Sequence, residues 1–365
     1  MMGNHKMKVL IFGTGEITRQ VLRGIENILK YVEIVGFIDN DDAKYGAEFY
    51  GGTIYHPGQI QKLNYDKICI LLTRFQQVYD QLVYGYQVPP EKIIGREELL
   101  KYLMTEKHRY TTDSDIQDTL KYWEDNQLSY FNQHEYADAT RDSVYWDREY
   151  NMPYIMFKGR RLYYPRSYGG FLYDEEGAYV LGYREEEQAQ GSPHRYLTGD
   201  INISKGDVVV DAGAMEGDFA LEYIDEIGKL YIFECSPEWV KALQMTYRDY
   251  MDKVVIIPKM LGDHVDENIT TLQETIPDGK VDFIKMDIEG AEVGALQAAE
   301  ELLRNNNVRC AICTYHSEED AVRLEKFFYG IGYQTSFSNG HMIFYIDPDI
   351  FSSLDFRKGV IYAKK

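Results

Sequence analysis

The stretch VVVDAGAMEGDFAL, residues 208–221, decides how the second half of the chain folds. Three consecutive valines form an apolar run too short for a helix and suited to a strand buried on both faces. Asp211 then ends the run, Gly213 and Gly217 supply turn chemistry, and the following DFAL opens a helix. A sheet that takes an adenosine-bearing ligand does so at the carboxyl ends of its strands. In that setting Gly213 lets the backbone turn tightly and approach the ligand closely. Gly217 keeps the helix start free of a side chain, and Asp211 is placed to accept from a ligand ammonium. A plain strand-to-helix turn would use the same glycines for geometry alone.

The next strand sharpens this expectation. KLYIFECSPEW delivers Glu234 at its end. An acid about 20 residues beyond the glycine turn suits a ribose diol, because one carboxylate can accept from both hydroxyls. Farther on, VDFIKMDIEGAE at 281–292 is another apolar strand, which brings Asp287 to the same edge. Gly290 turns the chain, and Glu289 and Glu292 fall at the start of the following helix, where carboxylates gain from the helix dipole. VRCAICTYH at 308–316 is a further strand, ending at His316. Strand ends on one edge of a parallel sheet converge on one crevice, so Asp287, Glu289, Glu292 and His316 are expected to reach one acceptor hydroxyl. An imidazole near pKa ~6.5 suits a general base, which makes His316 the first candidate, with Asp287 and then His194 behind it.

Other strands and helices alternate around these motifs. KVVIIPKML reads as a strand, and SPEWVKALQMTYRDYM and GAEVGALQAAEELLRN read as helices. YQTSFSNGHMIFYI, residues 333–346, reads as a β-hairpin turning at Ser-Asn-Gly. Alternation of this kind implies a mainly parallel sheet with right-handed crossovers.

Residues 1–105 carry a second alternating pattern. KVLIFGTG, VEIVGFIDND and YDKICILLT read as strands, with EITRQVLRGIENILK helical between the first two. Gly13 and Gly15 fit two glycines of a GxGxxG turn, but Thr18 stands at the third, so the phosphate-binding signal is incomplete. Residues 106–200 form a connecting region. There the polar stretch from Asp115 to about Tyr150 is expected to be helical, and PYIMFKGRRLYYPR at 153–166 reads as a hairpin around Lys-Gly. Residues 201–365 complete the chain.

The three stretches around Asp211, Glu234 and Asp287, in that order, resemble the FkbM methyltransferase family. FIKMDIEGAE is the most telling part, and CTYHSEED at 313–320 and SPHRYL at 192–197 also look like family features. The resemblance spans about residues 185–345. It implies a class I methyltransferase fold, a seven-stranded, mainly parallel sheet closed by an antiparallel hairpin. It also implies S-adenosylmethionine as cofactor and O-methylation of a hydroxyl on a sugar, a polysaccharide precursor or another small metabolite. The expected cofactor set is Asp211, Gly213, Ala214, Gly217, Glu234, Cys235, Asp263, Asp287 and His194. VLIFGTGEITRQ and IVGFIDND are similar to the Rossmann-like front domain of PglD-type sugar acetyltransferases. The fold class is therefore α/β, Rossmann-like in front and methyltransferase-like behind.

Two rivals remain open. One is an NAD(P)-dependent sugar-nucleotide enzyme run from the front domain, which would need a complete phosphate loop and a Tyr-x-x-x-Lys pairing that the sequence does not offer convincingly. The other is a non-catalytic scaffold with a degenerate fold, against which the intact DAGAMEG, Glu234 and DIEGAE speak. A net charge of −20 with no basic stripe argues against nucleic acid and against an anionic membrane surface. The four cysteines are too few and scattered for a disulfide framework, and Cys310 and Cys313 have no second pair to build a zinc site. The expectation is a cytoplasmic, metal-independent enzyme acting on a small-molecule or glycan acceptor, with homo-oligomerisation open. The 32 tyrosines are compatible with a glycan acceptor, but packing explains such a composition as readily.

Overall fold

The computed structural model describes residues 6–128, 140–182, 187–276, 278–347 and 349–365. The chain forms two compact units, one of Met1–Tyr130 with Ile343–Phe356, the other of Phe131–Met342 with Arg357–Lys365.

The first unit is built on six strands: β1 (Met7–Phe12), β2 (Val32–Ile38), β3 (Glu48–Phe49), β4 (Gly52–Tyr55), β5 (Lys67–Ile70) and β6 (Ile93–Ile94), in the order β3-β4-β2-β1-β5-β6. β1 runs parallel to both β2 and β5. Its near-continuous apolar run reflects burial on both faces. Val9 and Ile11 pack on one side with Val21, Leu22, Ile28 and Leu103, whereas Leu10 and Phe12 pack on the other with Ile60, Ile68 and Leu82. The helical stretch after β1 is α-helical at Glu16–Val21 and Ile25–Tyr31, with a tighter 3₁₀ turn at Leu22–Gly24. A side chain at Gly24 would put its Cβ 2.1 Å from the Phe351 carbonyl oxygen, so the glycine permits this approach.

This unit extends past the expected limit at residue 105. The helices Arg96–His108 and Ser114–Tyr122, together with Trp123 and Leu128, add apolar residues to the same core, as do Ile343, Ile350, Phe351 and Leu354. Of the helix expected from Asp115 to about Tyr150, the described residues show Ser114–Tyr122, capped by the Asp113 carboxylate, which accepts from the Asp115 and Ile116 amides. Residues 129–139 of that stretch lie outside the described residues.

From Thr140 the chain is extended, consistent with its aromatic and β-branched content. It forms β7 (Thr140–Ser143), β8 (Tyr145–Asp147), β9 (Met152–Phe157), β10 (Arg160–Tyr163), β11 (Phe171–Asp174) and β12 (Gly177–Gly182), in two small sheets ordered β10-β9-β8 and β11-β12-β7. The hairpin at 153–166 forms as expected, with Phe157 opposite Arg160 and positive φ at both Lys158 and Gly159, the conformation a two-residue hairpin turn requires.

The main sheet of the second unit has seven strands. They are β13 (Val208–Ala212), β14 (Lys229–Phe233), β15 (Val254–Ile257), β18 (Phe283–Met286), β19 (Arg309–Cys313), β20 (Gln334–Phe337) and β21 (Val360–Lys364); the short β16 (Met260–Leu261) and β17 (Ile269–Thr270) pair beside it. The order is β15-β14-β13-β18-β19-β21-β20, parallel from β15 to β19, with β21 antiparallel to both its neighbours. This is the seven-stranded methyltransferase arrangement. The closing hairpin differs from the expected one in its second strand. β20 pairs with β21, not with residues 341–346, because Ile343 and the apolar residues after it belong to the core of the first unit. Among the described residues no helix is long and apolar enough to cross a membrane.

Candidate active site

β13 ends in a turn that leaves little freedom. Gly213 has φ +71°, and a Cβ there would lie 1.7 Å from the Asp287 carbonyl oxygen. Gly217 has φ +76°, and a Cβ there would lie 2.4 Å from a Leu243 methyl. Both glycines are thus required by packing as well as by backbone conformation. Met215 between them also adopts positive φ, a conformation that costs a non-glycine residue on the order of 1–3 kcal/mol. Glu234 offsets that cost: its Oε2 accepts from the Met215 amide at 3.0 Å and its Oε1 from the Ser236 amide at 2.8 Å. The buried Glu234 carboxylate, at the end of β14, therefore braces the turn that follows β13, and each oxygen keeps a further lone pair.

Asp211 is placed differently from the expectation. It is fully buried, and the Lys285 ammonium lies 3.2 Å from its Oδ1. The same ammonium donates to the Gly213 carbonyl at 2.6 Å. Asp211 thus balances a buried lysine of its own sheet instead of meeting a ligand ammonium. Burial works against the Lys285 charge, but Asp211 and then Asp287 hold its pKa above the ordinary lysine value.

Beside this pair lies a cavity of about 340 Å³. Gly213, Ala214, Met215 and Phe219 line it from the β13 turn and the helix that follows, and Lys285 and Asp287 from β18 and its end. His194, Tyr196 and Tyr315 complete the polar wall. Asp287 sits at the centre of a hydrogen-bonded knot. Tyr315 donates to its two oxygens at 2.8 and 2.9 Å, and Tyr196 donates to Oδ2 at 3.0 Å. His194 Nε2 lies 3.1 Å from the Tyr315 hydroxyl, 3.0 Å from the Tyr196 hydroxyl and 3.5 Å from Asp287 Oδ2. Burial alone would raise the Asp287 pKa, but His194, Lys285 and His316 outweigh it and hold the carboxyl well below the usual range. The counterpart holds for His194. Burial disfavours its charge, yet Asp287, Cys313 and Glu187 raise its pKa well above that of a free imidazole.

The four residues expected around an acceptor hydroxyl do meet around His316, but they do not all face the cavity. His316 Nδ1 is 3.1 Å from Glu292 Oε1, and its Nε2 is 3.4 Å from Asp287 Oδ1. Despite burial, these carboxylates raise its pKa, Glu292 first among them. Glu292 is itself buried and accepts from the Ile288 amide at 2.8 Å. Glu289 has positive φ and a side chain 93% exposed, with its Oε2 3.7 Å from His316 Nε2. Of the four, only Asp287 lines the cavity. In the expected cofactor set, Cys235 is exposed, and Asp263 pairs with His264 at the surface, 2.6 Å apart.

Sequence reasoning missed Tyr196, Tyr315, Lys285 and the aromatic wall of Tyr164 and Tyr168. A lysine inside the apolar run DFIKMDI was the available signal, since a buried ammonium demands an acid partner. Tyr164 and Tyr168 follow β10, and Trp239 packs against both, with ring centroids 5.9 and 5.6 Å away. The connecting region thereby supplies one side of the cavity.

Residues 259–357 match the family described as Methyltransferase FkbM domain. That match includes Asp287, Glu292 and His316 but begins beyond the Gly213 turn and Glu234. Residues 5–94 match the family described as C2185-like, N-terminal, and this match does not bear on the likeness to PglD-type front domains. No curated protein sequence matches the chain. Among solved structures, a methyltransferase FkbM from Methylobacillus flagellatus KT is similar at 15% identity, over 98% of this chain and 90% of that one, with a TM-score of 0.44. Magnesium protoporphyrin IX methyltransferase (ChlM) from Synechocystis PCC 6803, solved with bound SAM, is similar at 12% identity over 46% of this chain and 73% of its own, with a TM-score of 0.30. A SAM-dependent methyltransferase from Aquifex aeolicus shows 16% identity over 46% of this chain and 86% of its own, at the same TM-score of 0.30. The C-terminal part of this chain carries a methyltransferase domain of the FkbM type.

Proposed function

We propose that the second unit transfers the methyl group of S-adenosylmethionine to a hydroxyl of a sugar, a polysaccharide precursor or another small metabolite. The observation that carries this reading is the half-buried Asp287 carboxylate and its hydrogen-bonded knot at the end of β18, facing a cavity whose other wall is the Gly213 turn. The cavity fits the cofactor in size and charge. Small-molecule sites commonly occupy about 300–1,000 Å³, and this one is lined by the carboxylates of Glu187, Glu216, Asp218 and Asp287, which suit a sulfonium cation. Glu234 and the Gly213–Gly217 turn would hold the nucleoside end, and Ala214 and Met215 would border it. The bound cofactor would supply an already activated methyl group, so the protein's work is to align the acceptor and exclude water.

The acceptor hydroxyl donates to Asp287. Tyr196 and Tyr315 link that carboxylate to His194, and it is the neutral form of His194 that takes the released proton at Nε2. His316 then has a positioning role. Its two ring nitrogens face Glu292 and Asp287, which raises its pKa and fixes the Asp287 carboxylate from outside the cavity. The reaction is expected to run without a metal, against the competing picture that Asp287, Glu292 and His316, whose ligand atoms lie within 4.8 Å of one another, hold a cation. The test is a methyl-transfer assay with labelled cofactor over glycan and small-molecule acceptors, with and without chelator. Transfer that persists in chelator supports the reading. Activity lost in chelator and restored by magnesium or calcium overturns the metal-free part, and no transfer to any hydroxylated acceptor overturns the whole.

The front unit offers no comparable case for a nicotinamide cofactor. Asp39, at the end of β2, accepts from the Thr14 amide and hydroxyl and from Lys44, so its carboxylate is spent on its own turn.

A further inference from the structure

A second, larger concavity lies on the same unit, at the edge of the main sheet. It is a groove of about 790 Å³ between the outermost strand β20 and the segment 190–201. Its wall is polar in a particular way. Gln190, Gln334, Thr335, Ser336 and Asn339 present amides and hydroxyls to it, and among the described residues none of these side chains makes a hydrogen bond. Amide and hydroxyl groups can donate and accept at once, which is what a ligand with many hydroxyls needs. The fixed charges nearly balance: Lys364 pairs with Asp200 at 2.9 Å, which leaves the Arg195 guanidinium.

The groove leads back to the reaction cavity. Arg195 and Leu197 line both the groove and a smaller hollow of about 290 Å³. Gln188, Asp218 and Phe219 line both that hollow and the cavity that holds Asp287. Three concavities therefore follow one another along the segment that carries His194 and Tyr196.

We propose that the groove binds a saccharide chain, so that the methyl acceptor is an oligosaccharide or polysaccharide rather than a free or nucleotide-activated monosaccharide. This deepens the methyltransferase reading and rests on it. The acid-lined cavity at the inner end disfavours a nucleoside diphosphate sugar, whose phosphates would meet Glu187, Glu216 and Asp218. The open edge of β20 could instead add a peptide strand. The exposed side chains of Gln334, Ser336 and Asn339 make this less suitable, because strand addition takes its specificity from pockets for alternate side chains.

The test uses the full chain, saturated with S-adenosylhomocysteine, on an array of defined oligosaccharides and the corresponding monosaccharides and nucleotide sugars. Binding confined to chains is expected. The double substitution Gln334→Ala with Asn339→Ala should weaken it about tenfold, the scale of two lost hydrogen bonds. Both side chains are exposed, so the fold should tolerate the change. No chain bound, equal binding by the double variant, or a preference for nucleotide sugars or extended peptides would overturn the proposal. Calorimetry with S-adenosylhomocysteine alone reports on the methyltransferase reading separately, since the groove variant should bind it like the parent protein.

Discussion

The two sheets of this protein use the same opening and end differently. In each, a buried parallel strand runs into glycines, and an acid waits at the end of the next strand. In the front sheet these are Gly13, Gly15 and Asp39; in the second they are Gly213, Gly217 and Glu234. Both acids brace their own turn through backbone amides. The difference lies behind the turn. In the front unit the crevice at the ends of β1 and β5 is lined by Ile17, Leu72 and Phe75 with the exposed carboxylates of Glu97 and Glu98, and its Arg96 donates to the Tyr345 and Asp347 carbonyls. In the second unit the turn lies against a cluster of buried Asp211, Lys285 and His194 with half-buried Asp287. A glycine turn therefore identifies a fold, whereas buried and mutually neutralised charge identifies a site.

The largest expected effect follows from that contrast. Asp287→Asn should lower methyl transfer by about 10²–10⁴-fold, the range for losing a positioned proton-handling group. Asp39→Asn should leave turnover unchanged in the same assay. Comparable losses in both variants would erase the distinction between the two regions.

Stability should separate them as well. Lys285→Met leaves Asp211 charged and buried, which should cost about 3–5 kcal/mol in denaturant unfolding. Lys44→Met removes a partly exposed partner of Asp39 and should cost no more than ~1 kcal/mol. The glycines give a finer version of the same test. Gly213→Ala must adopt positive φ and displace the Asp287 carbonyl, and it should cost about 2–4 kcal/mol. Gly15 has φ −84° and open space where a Cβ would stand, so Gly15→Ala should cost under about 1 kcal/mol.

The smallest and most discriminating effect is the sign of the pH response. Burial lowers the pKa of His108 in the front unit, so its contribution to stability is present above the ordinary imidazole range and is lost as pH falls through the depressed value. His194 has a raised pKa, so its contribution is full below that range and is lost as pH rises through the folded value. Asp287 contributes above the ordinary carboxylate range and loses its share as pH falls through its depressed value. Turnover should rise with pH as His194 becomes able to take a proton, and His194→Gln should remove that limb. NMR titration of the two histidines checks the opposite directions, and shifts of the same sign would contradict the account.

Much of this was legible from residue patterns. Apolar runs ending in Asp211, Glu234 and Asp287 are strands because only a doubly covered sheet accepts them, and their shared edge follows from parallel topology. The details that failed depend on which residue a chain segment meets in space. Ser-Asn-Gly is a good turn signal, but Ile343, Ile350 and Phe351 pack into the core of the first unit, and β21 takes the pairing position beside β20. Glu289 and Glu292 are equally acidic in sequence. One is exposed and the other nearly buried, because the positive φ at Glu289 turns the chain between them. Tyr196 and Tyr315 were indistinguishable among so many tyrosines, since a hydroxyl acquires its role only beside Asp287.

The central claim is that the cavity of the second unit binds S-adenosylmethionine, and calorimetric titration of the full chain tests it most directly. Binding near −8 kcal/mol is expected, in the micromolar range, weakened by roughly 1.5–3 kcal/mol in Glu234→Ala, with no comparable heat from a nicotinamide cofactor. Folded protein that gives no heat with S-adenosylmethionine or S-adenosylhomocysteine, or that binds NAD instead and loses this binding on Gly15→Val, would contradict it.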